Sequence, residues 1–254
     1  MLDARSLTKY YGALLALRDA SFLARPGQVL GYLGPNGSGK STTVRILVGL
    51  MAPTSGDVAW QGRSIFEDLP AFRRQVGYVP EEPHLYTHLT APEYLRLVAG
   101  LRDLDERALG HRIDRLLDLL GLADDQYSAM SSFSKGMRQK VLIAGALLHD
   151  PMVVILDEPF SGLDVGTALM LRAVIKGLAD EGRTVLMSSH EIDVVEQLCS
   201  EVVILSEGRV VAHDRVDRLR QLEQEQSLEH VFVKLAVRHD VQQAARSIIE
   251  TVRT

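Results

Sequence analysis

Residues 29–42 read VLGYLGPNGSGKST, an apolar run that breaks into a glycine-rich turn closed by Lys40, Ser41 and Thr42. The apolar part reads as a buried strand. The following STTVRILVGL, 41–50, reads as a helix with Val44, Leu47 and Val48 on one face. Strand, loop and helix in this order match G-x-x-x-x-G-K-[ST]. Glycines let the loop Gly34, Pro35, Asn36, Gly37, Ser38 and Gly39 turn backbone N–H groups toward phosphate oxygens without a Cβ clash, and the helix adds the positive end of its dipole. Lys40 is placed to reach the β- and γ-phosphates of a nucleoside triphosphate, and the Ser41 hydroxyl to ligate Mg²⁺, with Thr42 beside it.

Two further strands supply the other half of that chemistry. MVVILDEP, 152–159, is an apolar run ending in acids. It places Asp157 to hold Mg²⁺ through water and Glu158 to polarise an attacking water as general base. TVLMSSH, 184–190, delivers His190 just beyond a strand. The carboxyl ends of parallel strands line the ligand crevice, so His190 is placed to donate to the γ-phosphate.

Elsewhere, residues 1–30 read as strands broken by turns such as Arg25-Pro26-Gly27. From about 83 to 148 apolar residues recur at helical spacing, in EYLRLVAGL and RIDRLLDLLGL, with no convincing strand. TALMLRAVIKGLADEG is a helix that stops at Gly182, and a final hairpin turns at Glu207-Gly208. This alternation predicts an α/β domain with a mostly parallel sheet and a helical insertion. DVQQAARSIIETVRT places Val241, Ala244, Ala245, Ile248, Ile249 and Val252 on one helical face, with Asp240 as N-cap. That face is expected either to pack on its own domain or to contribute to a dimer.

Bulk properties narrow the class. A formal net charge of −5 gives no global basic field for nucleic acid. One cysteine, Cys199, allows no disulfide within the chain. No apolar run reaches the ~18 residues of a membrane span, and the first residues lack the pattern of a signal peptide, so a cytoplasmic protein is expected.

With these motifs in place, the chain resembles the ATP-binding subunits of ABC transporters over residues 1–237, leaving 238–254 as a helical tail. The specific marker is SSFSKGMRQKVLIAGALLHDPMVVILDEPFSGLD, in which FSKGM, 133–137, stands at the family's signature and SGLD, 161–164, at its D-loop. The resemblance implies a P-loop NTPase core with a mostly parallel sheet, an N-terminal antiparallel β part and a helical subdomain inserted at about 83–148. It implies that Tyr11, in KYYG, stacks on adenine. Ser134 and Gly136 would contact the γ-phosphate of ATP bound to the opposite protomer, and Asp164 would couple the two sites. Lys135 and Met137 depart from the usual glycine and glutamine. SKGM, together with SLEHVFVKLAV at 227–237, is similar to subunits paired with ABC-2-type permeases. The implied function is an ATPase that dimerises around ATP with Mg²⁺ and powers export through a separate permease at the cytoplasmic face of the membrane. A homodimer is favoured over a heterodimer, and no nucleic acid partner is expected. The alternative is a non-transport ABC ATPase acting on nucleic acid or ribosomes.

GYVPEE, 77–82, poses one electrostatic puzzle. Most of the family has a glutamine after this strand that reaches Mg²⁺ and water; here the position holds Glu81. A carboxylate suits a hard cation, so Glu81 is expected as an Mg²⁺ ligand and Glu82 as an outward-facing acid. The segment from Glu81 to Leu89 is expected to line the docking groove for a permease helix.

Overall fold

The computed structural model describes residues 1–82, 84–236 and Thr251; the expected tail helix lies outside them. Five parallel strands form the centre: β3 (Gln28–Leu33), β6 (Val76–Val79), β7 (Val153–Asp157), β8 (Thr184–Ser188) and β9 (Glu201–Ser206). Antiparallel β10 (Arg209–Arg215) completes a sheet of order β10-β9-β3-β8-β7-β6. The β9–β10 turn holds Glu207 and Gly208 at φ 47° and 75°. Two consecutive positive φ values match the twist of a tight hairpin. The N-terminal part forms a second, antiparallel sheet from β1 (Leu2–Tyr11), β2 (Leu14–Ala24), β4 (Ser55–Trp60) and β5 (Arg63–Ser64), in the order β2-β1-β4-β5.

Apolar runs such as VVIL arise because both faces of the main sheet are covered. Val154 and Leu156 join one core with Val29, Val185 and Met187, packed by helices α6 (Val165–Asp180), α7 (Ile192–Leu198), α8 (Val216–Glu223) and α9 (Leu228–Ala236). Their neighbours Val153 and Ile155 join the other core, with Leu30, Tyr32 and Leu186, beneath α1 (Lys40–Leu47) and the antiparallel sheet. The sequence SLEHVFVKLAV thus contributes α9, which buries Leu228 and Val231 in the first core.

Between β6 and β7 the described residues contain only helices and an isolated bridge: α3 (Ala91–Gly100), α4 (Glu106–Leu119) and α5 (Lys135–Leu147). A capping box starts α3, with Thr90 accepting from the Glu93 N–H and Glu93 accepting from the Thr90 N–H. The α5 helix belongs to two cores. Leu142, Ile143 and Ala146 pack toward the sheet, while Val141 and Ala144 pack with Leu95, Ile113 and Leu117 of the helical layer. Just past α3, Arg102 donates to the carbonyls of Arg73 and Val76 at 2.9 and 3.1 Å, tying that layer to the start of β6. No helix among the described residues is long and apolar enough to cross a membrane.

Gly77 of β6 sets how closely α5 approaches the sheet. A Cβ there would collide with the Ala146 carbonyl oxygen and lie 2.9 Å from Pro151 Cγ. Gly77→Ala is therefore expected to destabilise the fold by about 1–3 kcal/mol, as overpacking does. Thermal unfolding would register a fall of roughly 2–4 °C per kcal/mol for a chain of this size. An unchanged melting temperature would show that α5 can shift freely from β6.

Candidate active site

The loop between β3 and α1 is shaped by contacts that exclude side chains. A Cβ on Gly34 would strike Ser38 and lie 2.6 Å from the Leu205 carbonyl oxygen. Gly39 has φ 106°, a region costly for any residue with a Cβ, and a Cβ there would sit 2.7 Å from the Ala16 carbonyl oxygen. The β9–β10 turn supports the loop from behind: the Gly208 N–H donates to the Ser38 carbonyl at 2.9 Å, and Arg18 N–H to the Gly208 carbonyl at 2.8 Å. Thr43 donates to the Gly39 carbonyl at 3.0 Å and accepts from Tyr32 at 3.1 Å, fixing the first turn of α1 to β3. That first turn carries no acid, which leaves its positive end open to an anion.

Lys40 Nζ folds over the loop and donates to the carbonyls of Gly34 and Pro35 at 2.6 and 3.3 Å. Burial lowers its pKa, against the opposing pull of the carboxylates of Glu158, Asp157 and Glu81. Those three acids come from two strand ends. Asp157 closes β7, 5% exposed, and accepts a hydrogen bond from the Ser188 hydroxyl. Burial raises its pKa; the Ser188 bond opposes that rise, while the charges of Glu81 and Glu158 add to it. Glu158 follows at φ 49°. Its N–H donates to the Ser188 carbonyl and hydroxyl oxygens, both at 3.2 Å, and its Oε2 lies 2.8 Å from His190 Nδ1. Glu81 extends past β6 into the same space. Asp157 and Glu81 also raise the Tyr78 phenol above its usual range, to about 12, on top of the larger effect of burial.

These groups bound one pocket of about 530 Å³, lined by Tyr11, Asn36, Gly37, Gly39, Lys40, Ser41, Thr42, Glu81, Asp157, Glu158 and His190. Tyr11 presents a half-exposed ring there, its hydroxyl 3.2 Å from Met51 Sδ. Gly34, Pro35 and Ser38 lie behind the lining. Glu82 is 77% exposed and pairs with His84 at 3.6 Å, so the two adjacent acids face different ways. Gln75 is engaged elsewhere, accepting from Trp60 Nε1 at 2.9 Å.

Ser134, Gly136 and Asp164 are not among the residues that line this pocket. Ser134 caps α5, its hydroxyl accepting from the Met137 N–H at 3.2 Å. Asp164 caps α6, accepting from the Thr167 N–H and hydroxyl at 2.9 and 2.6 Å; these bonds hold its pKa down at about 2. Lys135, which stands in place of the family's usual glycine, donates to Ser161 at 2.9 Å. Sequence reasoning missed Ser188, Thr43 and this lysine–serine contact. The signal for Ser188 was the Ser188-Ser189 pair before His190, uninformative without the strand register.

The geometry can be set beside known proteins. The ABC transporter family profile matches residues 17–161. The ABC transporter ATP-binding protein MJ1023 of Methanocaldococcus jannaschii is 36% identical over 216 residues, 85% of this chain and 78% of that protein. A solved ATP-binding subunit of an ABC transporter is 36% identical with a TM-score of 0.87, over 92% of this chain and 99% of that one. The dimeric post-hydrolysis state of the ATP-binding cassette MJ0796, bound to ADP and Pi, is 27% identical with a TM-score of 0.78, over 85% and 98%.

Proposed function

The chain belongs to the ABC transporter family of ATP-binding, ATP-hydrolysing subunits, and from that premise we propose that two copies close on ATP and drive export through a separate ABC-2-type permease. One observation carries the dimer. Lys40, Glu81, Asp157, Glu158 and His190 line one pocket, while Ser134, Gly136 and Asp164 of the same chain stay off it. One copy therefore encloses the γ-phosphate on one side only, and a second copy supplies the signature helix N-terminus for the other. The bound ATP then acts as the ligand that favours the closed pair, and hydrolysis withdraws it. The dimeric cassette MJ0796 supports this reading.

Within the pocket, Tyr11 stacks on adenine and the 34–42 loop with Lys40 holds the phosphates. The donor set suits Mg²⁺: Ser41, Asp157 and Glu81 bring hard oxygens to the same pocket. The described residues contain no group of three His, Cys, Asp or Glu able to hold a metal alone. Mg²⁺ in such sites is held by one or two carboxylates together with substrate phosphates. When bound, Mg²⁺ offsets the phosphate charge. Glu158 accepts the proton of the attacking water, and His190 keeps its carboxylate in place through Nδ1. With both ring nitrogens carrying a proton, the other nitrogen of His190 would donate to the γ-phosphate.

Export is supported by the SKGM signature and by the α9 segment, both similar to ATP-binding subunits paired with ABC-2-type permeases. The subunit would then sit peripherally on the cytoplasmic face, held by its permease. The segment from Glu81 to Leu89 forms the docking surface, with Tyr86 59% exposed. Cys199, the sole cysteine, is 7% exposed and its thiol is pushed up by burial, so an introduced thiol would react alone.

Three measurements test this. Glu158→Gln should retain ATP, accumulate as an ATP-dependent dimer by light scattering, and lose turnover by about 100-fold or more, as loss of a general base does; wild-type hydrolysis would remove Glu158 from that role. Glu81→Gln should show a shallower dependence of ATPase on Mg²⁺ than the native chain; identical Mg²⁺ titrations would rule Glu81 out as a ligand. A cysteine at position 86 (Tyr86→Cys) should crosslink to a co-purified multi-span partner, and an active complex without crosslinks would place the docking surface elsewhere.

A further inference from the structure

Ser188 ends β8 with no exposed surface. It lies directly beside Asp157 in the parallel register of β7 and β8. Registered neighbours on adjacent strands share a face, so the hydroxyl and the carboxylate point the same way. A serine hydroxyl has one proton to donate and two lone pairs to offer. The Glu158 backbone N–H, which can only donate, takes a lone pair at 3.2 Å. The single proton is then left for Asp157 Oδ1. The amide, which can only donate, fixes the first direction, and the ionised carboxylate, which can only accept, fixes the second.

Glu158 needs such fixing. Its φ of 49° is unusual for a residue with a side chain, and such conformations persist only where the surroundings over-determine them. The carboxylate end is tied to His190 Nδ1 at 2.8 Å. The backbone end is tied to Ser188 through both the carbonyl and the hydroxyl. The short segment 188–190 at the end of β8 therefore holds Glu158 at two points and Asp157 at a third.

We propose that Ser188 is a positioning residue for ATP hydrolysis: its hydroxyl sets the Asp157 carboxylate and the Glu158 backbone in one fixed relation before nucleotide arrives. The inference rests on the roles given above to Asp157 and Glu158. Ser188 does not line the pocket, so it acts through them and not on the nucleotide.

The test uses the full chain with Ser188→Ala and Ser188→Cys, the second keeping the shape of the site with a weaker donor. Steady-state ATPase gives kcat and KM, and a fluorescent ATP analogue in EDTA gives nucleotide affinity without turnover. Both variants should lose kcat by about 10-fold or more, the scale of a misplaced catalytic group. KM, analogue affinity and melting temperature should stay near the native values. A native kcat in Ser188→Ala overturns the proposal. So does a parallel loss of kcat, analogue affinity and melting temperature in both variants, which marks a merely structural serine. Glu158→Gln is run beside them. If it is inactive while Ser188→Ala is normal, only the positioning role fails. If it hydrolyses ATP at the native rate, the base assignment fails and takes this inference with it.

Discussion

Parallel register along one edge of the main sheet is the constraint on which the site depends. Parallel strands end on the same side, and at a parallel sheet's carboxyl edge that side is the ligand crevice. Here β3 delivers the loop and Lys40, β6 delivers Glu81, β7 delivers Asp157 and Glu158, and the end of β8 delivers Ser188 and His190. These residues are scattered over more than a hundred positions of chain. They meet because Leu156 pairs with Met187 and Asp157 with Ser188, one rung apart. A slip of one residue would turn each side chain to the opposite face and separate the acids from the hydroxyl that holds them.

That edge gathers three carboxylates against one half-buried lysine. Burial is what chiefly raises the pKa of Asp157; the Ser188 bond and Lys40 oppose the rise, and the charges of Glu81 and Glu158 add to it. Lys40 meets the opposite tension, its proton weakened by burial and retained by the same acids. Such a cluster is settled by a divalent cation arriving with phosphate, since the ion's own charge reverses the local preference. In the proposed function, Glu81 belongs with the rest of the site as part of a metal-bearing assembly. Glu82, one residue on, has no share in it, because it faces solvent beside His84.

Much of this was legible in the sequence for a physical reason. Glycines at 34, 37 and 39 and the acids after VVIL are local patterns, and each names its own chemistry without a partner. The N-terminal strands and the helical stretch before β7 were equally local, carried by turns and by helical spacing, whereas the antiparallel arrangement of those strands came from the family resemblance. Ser188 was not legible, because its meaning lies in the rung it shares with Asp157, 31 residues away. Thr43 was missed for the same reason: its hydroxyl matters only through Tyr32 and Gly39. Even Lys135 had no assignable partner until the chain brought Ser161 to it.

Lys135 and Gly136 show how the remaining half of the machinery is organised. A Cβ on Gly136 would lie 2.5 Å from the Gly162 carbonyl oxygen, so α5 begins in direct contact with the loop before α6. The Lys135 stem covers Gly162, its ammonium holds Ser161, and Lys140 lies 3.7 Å from Asp164. Exposed pairs of this kind each contribute little, about 0–1 kcal/mol. Their effect is geometric: they favour moving the start of α5 and the 161–164 loop together. At its other end α5 presses the Ala146 carbonyl against Gly77, three residues before Pro80 and Glu81. A single helix thus touches the loop after the Glu158 strand and the strand that carries Glu81. In the proposed dimer, a push on the helical layer would be felt at both places without any change inside the nucleotide loop, which is anchored separately through Gly208 and Arg18.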